Sequence, residues 1–358
     1  MMIALAGLLF VPVSLALKYL ALGSPLIVFI VGALALLAVA EWVRRATGQL
    51  ASRVGPTIGG LLEVSFGSLA ELILALFVLL RGHANVVQAQ IAGSILGTSL
   101  FGLGLAILVG GATRDRQTFK TERAGLLSSL LILVVIALLL PAVFELTGRS
   151  FGEAAQLPVT DEEVSLSVSV VLVILYFANL AFTLVTHRDV FSTDEPRGEA
   201  EWSLWVSIAV LVAATAAIAM ESELVSSALR QAAKALHLAP MFLGVIVLAL
   251  IGTGGDIFVG VWFAREDRIG PAIQILIGSA IQTALVVAPL LVLASALFGR
   301  PMTLVFSDPL YLFAIAGAAF IVNSVARDGE TTWFEGVLLV GVYCLFALAF
   351  FFTPAPQT

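Results

Sequence analysis

Glu71, in SFGSLAELILAL, and Asp256, in LIGTGGDIFVGV, are acids set inside apolar runs that resemble each other. A carboxylate at membrane depth costs at least about 2.5 to 3.5 kcal/mol on insertion scales, so two in matched surroundings imply a polar task. The match continues beyond the acids: Gly67 with Gly252, Gly93 with Gly278, Ser94 with Ser279 and Thr98 with Thr283 all share the offset of 185 residues that separates 71 from 256. A constant offset across two consecutive apolar segments marks an internal repeat. Gly59, Gly60 and Gly67 precede the first acid, Gly252, Gly254 and Gly255 the second, with Ser65, Ser68 and Thr253 among them. Glycine weakens a helix by roughly 1 kcal/mol relative to alanine. A local break frees carbonyl oxygens that, in lipid, need protein, water or an ion to satisfy them. Carboxylate, hydroxyl and carbonyl oxygens together suit Ca2+ or another hard cation. The same glycines equally suit close helix packing.

The elements that must position these residues are membrane helices. Hydrophobic residues make up 60% of the 358, charged residues 12%, and the mean hydropathy is +1.08, which excludes an ordinary soluble domain. Apolar stretches of about 20 residues, enough to cross a bilayer, fall at 2–22, 25–43, 57–80, 86–111, 124–145, 163–186, 203–221, 240–264, 270–298, 304–325 and 333–352. The expected fold is therefore an all-α integral membrane protein of about eleven transmembrane helices. The first stretch lacks a basic leading region and is read as retained. Cys344, the single cysteine, has no disulfide partner in the chain.

Alternating the loops between two sides puts twelve of the 18 basic residues (Arg44, Arg45, Arg53, Arg114, Arg116, Lys120, Arg123, Arg188, Arg197, Arg265, Arg268 and Arg327) on one side. Lys18, Arg81, Arg149, Arg230, Lys234 and Arg300 fall on the other. The richer side is expected in the cytoplasm, with the N-terminus inside and the C-terminus outside. The third stretch then runs outward with Glu71 and the eighth inward with Asp256. Five spans per half make the repeats inverted, as in secondary transporters whose site lies near the bilayer midplane. The expected division is a first helix at 1–22, a first repeat at 23–187, an acidic cytoplasmic linker at 188–202 and a second repeat at 203–358.

At these residues the chain resembles the Ca2+/H+ antiporters, the cation exchangers of the wider cation/Ca2+ exchanger superfamily. GPTIGGLLEVSFGSLAELI (55–73) looks like that family's first acidic motif region, and LIGTGGDIFVGVWFA (250–264) with IGSAIQTALVVAP (277–289) like its second. VVQAQIAGSILGTSLFGLGLAILVGG (86–111), PMTLVF (301–306) and WFEG (333–336) extend the likeness over nearly the whole chain. The resemblance implies a transporter rather than an enzyme, exchanging Ca2+ for H+ by alternating exposure of one central site. Ca2+ would be cargo and no cofactor is expected. By residue-to-residue match Glu71 and Asp256 would be the paired ligands, supported by Ser68 and Thr253 three positions before them. The chain departs from the family pattern at Ser68 and Thr253, where Asn is usual, at Asp256, where Glu is usual, and at Glu63, where Asn is usual. These departures bear on which cation is carried, with Na+, K+ or Mn2+ as alternatives.

Ca2+ and protons can each neutralise the acid pair, so either loaded form crosses without naked charge while the empty ionised form is trapped, and metal and protons compete. Glu63, two helical turns before Glu71, reads as a third ligand, a proton relay or an entrance residue. Gln282, Ser94 and Ser279 read as facing the site or as bonding between helices, and Gln88 and Gln90 as lining an aqueous path or facing an interface. Glu221 and Glu223 read as a solvated outer end of the seventh span or as residues that attract cations, and DVFSTDEPRGEAEW (189–202) as a solvated loop or a regulatory site for cytosolic cations. His83, His187 and His237 lack metal-ligand spacing. TGGD (253–256) superficially matches an intramembrane aspartyl protease motif, but Thr253 stands where its first glycine belongs, and the other Asp nearest a span interior, Asp308, stands only at the leading edge of the tenth stretch. A cation channel is the other alternative. The expected setting is a prokaryotic inner membrane, with lipid and the two ions as partners, no nucleic acid, and room for a homo-oligomer.

Overall fold

The computed structural model describes residues 7–20, 23–150, 157–186, 201–306 and 308–353. Its helices are α1 (Phe10–Tyr19), α2 (Pro25–Ala51), α3 (Gly55–Gly67), α4 (Leu69–Leu80), α5 (Ala84–Gly111), α6 (Thr121–Ser150), α7 (Leu157–Ala181), α8 (Leu204–Leu236), α9 (Pro240–Arg265), α10 (Ile269–Leu297), α11 (Pro309–Arg327) and α12 (Trp333–Phe352). Among the described residues nine helices are long and apolar enough to cross a membrane, and α1 and α4 are shorter apolar helices. The chain is an integral membrane protein whose eleven expected apolar stretches all fall on helices. Two short strands, β1 (Gln117–Thr118) and β2 (Glu330–Thr331), pair antiparallel with Gln117 opposite Thr331, tying the loop before α6 to the loop before α12.

The third stretch is not one helix. α3 ends at Gly67 and α4 begins at Leu69, with Ser68 between them at φ −94°, ψ 14°. The matching break expected at 252–255 does not occur: Ala249–Arg265 is continuous α-helix, and the irregularity lies earlier, as a π-helical turn at Leu243–Leu248. Other π segments interrupt α5 at Gly97–Gly102 and α10 at Thr283–Val287, starting within one residue of repeat-equivalent positions. Such turns insert an extra residue and recur at functional sites.

α2 and α8 begin alike. Ser24 accepts a bond from the Ile27 N–H at 3.4 Å and Ser203 one from the Val206 N–H at 3.3 Å, each satisfying a free helix-end donor. The two helices pack along each other more extensively than any other pair. α8 runs 33 residues, well past the expected limit at 221, and stops where His237 takes a left-handed conformation at φ 56°. Its second half, rich in Ala, Ser and Leu, keeps a buried face through Ala233, and that face carries the helix on. α11 starts at Pro309 rather than 304, because Asp308 caps it by accepting from the Leu310 N–H at 2.8 Å. Stacked rings of Trp42 and Trp202, 6.0 Å apart, fasten the chain entering α8 to α2.

Where α5 crosses α9, backbone meets backbone. A Cβ at Gly93 would lie 1.9 Å from the Val245 carbonyl oxygen, on the π turn of α9. At the repeat-equivalent Gly278 a Cβ meets nothing within 4 Å. Gly93→Ala should therefore destabilise the protein by about 1 to 3 kcal/mol or block its folding, whereas Gly278→Ala should be neutral or stabilising by up to about 1 kcal/mol. Thermal unfolding of the two purified variants in one detergent checks the contrast.

Candidate functional site

Glu71 stands in the first turn of α4, directly after the break at Ser68. It is 2% exposed. α9 passes against it at Gly252, where a Cβ would sit 3.1 Å from Glu71 Cγ and 3.4 Å from its Cα. Any larger residue there would separate the two acidic helices. Asp256 follows one turn later on α9, and the two carboxylates lie within electrostatic range of each other.

Hydroxyls from α10 and α5 line this junction. Ser279 donates to Asp256 Oδ2 at 2.6 Å, and Thr283, one turn further along α10, donates to Glu71 Oε2 at 3.1 Å. One α10 face thus holds both acids, with anchor points roughly 6 Å apart along the helix. The Ser94 hydroxyl of α5 lies beside Glu71 without a well-formed bond to it. Ser94 to Glu71 repeats Ser279 to Asp256. The second contact is not repeated, since Thr98 donates back to the Ser94 carbonyl at 2.8 Å. Asp256 is one methylene shorter than Glu71, consistent with its lacking the second hydroxyl.

Three oxygens at this junction, Glu71 Oε1, Ser68 Oγ and Ser94 Oγ, are buried with no hydrogen-bond partner among the described residues. Buried polar groups are ordinarily paired, so orphans gathered around a carboxylate mark where a cation, proton or water belongs. Thr253 is different: its hydroxyl donates to the Ala249 carbonyl at 2.9 Å, and Gly97 of α5 packs near it. Among the described residues no group of three or more His, Cys, Asp or Glu side chains converges. A cation here would rest on two carboxylates completed by neutral oxygens.

A cavity of about 540 Å³ leads in from the side that carries Arg44 and Arg268. Gly67, Asp256, Ser279 and Gln282 line it, and Gly67 lies against Gln282, where a Cβ would be 3.5 Å from its Oε1. Asp256 is partly exposed to this cavity, while Glu71 is behind it. Glu63 lies on α3, but its side chain is outside the described residues, as are His187 and residues 188–200 of the acidic linker.

Of the residues singled out from sequence, the structure brings together Glu71, Asp256, Gly252, Ser68, Ser94, Ser279, Gly67 and Gln282, with Thr253 adjoining. Thr283 was missed as a carboxylate partner, although its match to Thr98 and its place one turn after Ser279 pointed to it. Gln88 bonds the Thr303 and Val305 carbonyls at 2.8 and 3.0 Å, a tie between α5 and the segment before α11, and so is structural. Glu221 is a correction. It is 0% exposed, because α8 continues beyond it and α1 covers it, whereas Glu223 is exposed and pairs with Arg81 at 3.5 Å.

The chain matches the sodium/calcium exchanger protein family twice, over residues 24–185 and again over 206–352. It is 37% identical to the Ca(2+)/H(+) antiporter of Aphanothece halophytica over 97% of this chain and 95% of that one. With the Ca(2+)/H(+) antiporter ChaA of Bacillus subtilis (strain 168) the identity is 36%, covering 91% of this chain and 92% of the relative. The solved structure of native YfkE superposes with a TM-score of 0.82 at 31% identity, covering 98% of this chain and 99% of that chain. The H+/Ca2+ exchanger CAX shares the fold, with a TM-score of 0.73 at 14% identity over 97% of this chain and 91% of that one. A double match over most of the chain, with close relatives along its full length, places the protein in the sodium/calcium exchanger protein family.

Proposed function

We propose that this protein is a secondary active transporter that exchanges Ca2+ for H+ across a membrane, by alternating access at the Glu71–Asp256 site. One observation carries the reading: Glu71 of the first half packs against Gly252 on the Asp256 helix of the second, and one face of α10 bonds both acids, among buried oxygens that lack partners. Relatives named as Ca2+/H+ antiporters supply the cargo class. The two family matches support the division into an N-terminal helix and two inverted repeats, 23–187 and 203–358. The distribution of basic residues supports a cytoplasmic N-terminus, and the bacterial relatives support a prokaryotic plasma membrane. In that orientation the cavity beside Arg44 faces inward.

The chemistry is competition for the same oxygens. Ca2+ takes six to eight oxygen ligands, and Glu71, Asp256, Ser68, Ser94 and Ser279, with water from the cavity, offer a set of that kind. Protonating both carboxylates discharges them equally well, and the protein then returns without cation. The empty pair, carrying two buried charges, stays put. Gln282 extends the polar lining toward the cavity mouth, and Gly67 leaves room for it. Asp256 lines the cavity and the buried Glu71 does not, an arrangement that suits an occluded central site better than a channel. The shorter Asp256 and the hydroxyls at Ser68 and Thr253 give the alternative of Na+, K+ or Mn2+ as cargo its specific basis.

Glu71→Gln and Asp256→Asn should each reduce cation-driven proton movement in proteoliposomes to the level of empty vesicles while leaving membrane insertion intact. Near-normal exchange by either variant would remove the assigned site. Thr283→Val keeps the side-chain shape and deletes one hydrogen bond to Glu71, about 1 kcal/mol. It should change apparent cation affinity roughly fivefold without abolishing exchange, as read from transport at graded Ca2+.

The pH dependence has a fixed sign. Protons occupy the carboxylates that hold the cation, so apparent cation affinity should weaken as pH falls, while turnover should slow at high pH for want of protons on the return step. A bell-shaped rate follows, whose limbs belong to the coupled pair rather than to either acid. Equilibrium Ca2+ binding measured across the pH range checks the first limb, and pH-independent affinity would separate the proton site from the cation site.

A further inference from the structure

Two polar contacts tie α1 to α8, one of them fully buried. The Ser14 hydroxyl lies 2.6 Å from Glu221 Oε1 and 2.8 Å from the Val11 carbonyl oxygen, and Ser14 and Glu221 are both 0% exposed. A serine hydroxyl carries one proton. If Glu221 is ionised, both neighbours are acceptors and one of the two contacts has no hydrogen in it. A proton on Glu221 Oε1 completes both: the carboxyl O–H donates to Ser14 Oγ, and the Ser14 O–H donates to the Val11 carbonyl. The 2.6 Å separation lies at the short end for O–H···O bonds.

The remaining surroundings agree with a neutral acid. Glu221 Oε2 has no hydrogen-bond partner among the described residues, and it points at α2, where a Cβ on Gly32 would lie 3.4 Å from it. The charged groups of the neighbouring elements are engaged elsewhere. Lys18 of α1 donates to Ser227 at 3.0 Å, and Glu223 of α8 pairs with Arg81 after α4. On α2, Glu41 binds Arg44 and Arg45, nine or more residues from Gly32. Arg230 and Lys234 lie further along α8, and Glu71 of α4 belongs to the central site. An ionised carboxylate at the junction of α1, α2 and α8 would be buried without a counter-charge, an expensive state.

We propose that Glu221 is a second proton-binding site, separate from the Glu71–Asp256 pair, and that its proton fastens α1 into the seam between α2 and α8. Loss of the proton leaves two carboxylate oxygens and the Val11 carbonyl competing for the single Ser14 hydrogen. The hydrogen goes to the carboxylate and the Val11 carbonyl loses it, but the charge is left buried without a counter-charge, and α1 is released so that water reaches Glu221. This places a pH-sensitive latch on the most extensive helix pair of the molecule, and it does not depend on what the central site carries.

Infrared difference spectra of the full-length protein in lipid, combined with spin-label distances, test the proposal. In a Glu71→Gln, Asp256→Asn background, which removes the carboxyls of the central pair, a protonated-carboxyl band should be present and should be lost when Glu221→Gln is added. Labels at Tyr19→Cys on α1 and Leu236→Cys on α8, both exposed, in a Cys344→Ser background, should give one short distance at neutral pH and a second, longer population at alkaline pH. Glu221→Gln, whose amide N–H replaces the carboxyl O–H, should hold the short distance at every pH. Ser14→Ala should show the longer population even at neutral pH. A band that survives in Glu221→Gln, or distances unmoved by alkaline pH or by Ser14→Ala, overturns the proposal.

Discussion

Two carboxylates share one buried junction, and the surrounding architecture answers to the energy of that arrangement. Like charges about 6 Å apart in an effective dielectric of about 20 repel by about 3 kcal/mol, so two ionised acids in one junction add a repulsion of that order to the cost of taking charge out of water. That sum is large enough to make the doubly ionised, empty site unfavourable, and small enough for one divalent ion or two protons to reverse it. The Ser279 and Thr283 hydroxyls each stabilise one acid without neutralising it. A lysine or arginine in their place would permanently discharge the pair. On the proposed reading, charge balance is thus left to the transported ions.

The helices can come this close only because certain positions have no side chain. Gly252 lets α9 lie on Glu71, and Gly93 lets the π turn of α9 press a carbonyl against α5. The break at Ser68 and the π turns in α5, α9 and α10 all cluster on the helices that build the junction. Regular helices are stiff and fully self-bonded. Local irregularity gathers at the site, where the unpartnered side-chain oxygens of Glu71, Ser68 and Ser94 also lie.

The apolar stretches and the acid pair were legible in the sequence because both rest on strong local signals: composition over about 20 residues and a constant repeat offset. Every expected span fell on a helix. The break before Glu71 was legible through glycine and serine, but the same residues around Asp256 support an unbroken helix, since glycine permits irregularity without requiring it. Which hydroxyl bonds which carboxylate was not legible, because Thr98 and Thr283 are equivalent in sequence and differ only in what stands opposite them. The fate of Glu221 was hidden for another reason. Its burial comes from α1, some 200 residues away in the chain, and from a helix end set by the left-handed His237 rather than by hydropathy.

The unequal exposure of the two acids has a temporal meaning. In the described conformation Asp256 lines the cavity, while Glu71 is buried against Gly252 and does not. On the proposed reading, a particle arriving from that side meets Asp256 first and reaches Glu71 only by transfer, and a departing one leaves in the reverse order. Loading is then a queue rather than a simultaneous capture. In the opposite-facing state of an inverted pair the order would switch, so each particle that enters at one carboxylate would leave past the other. The half-sites would act as an entrance and an exit whose labels exchange every half cycle.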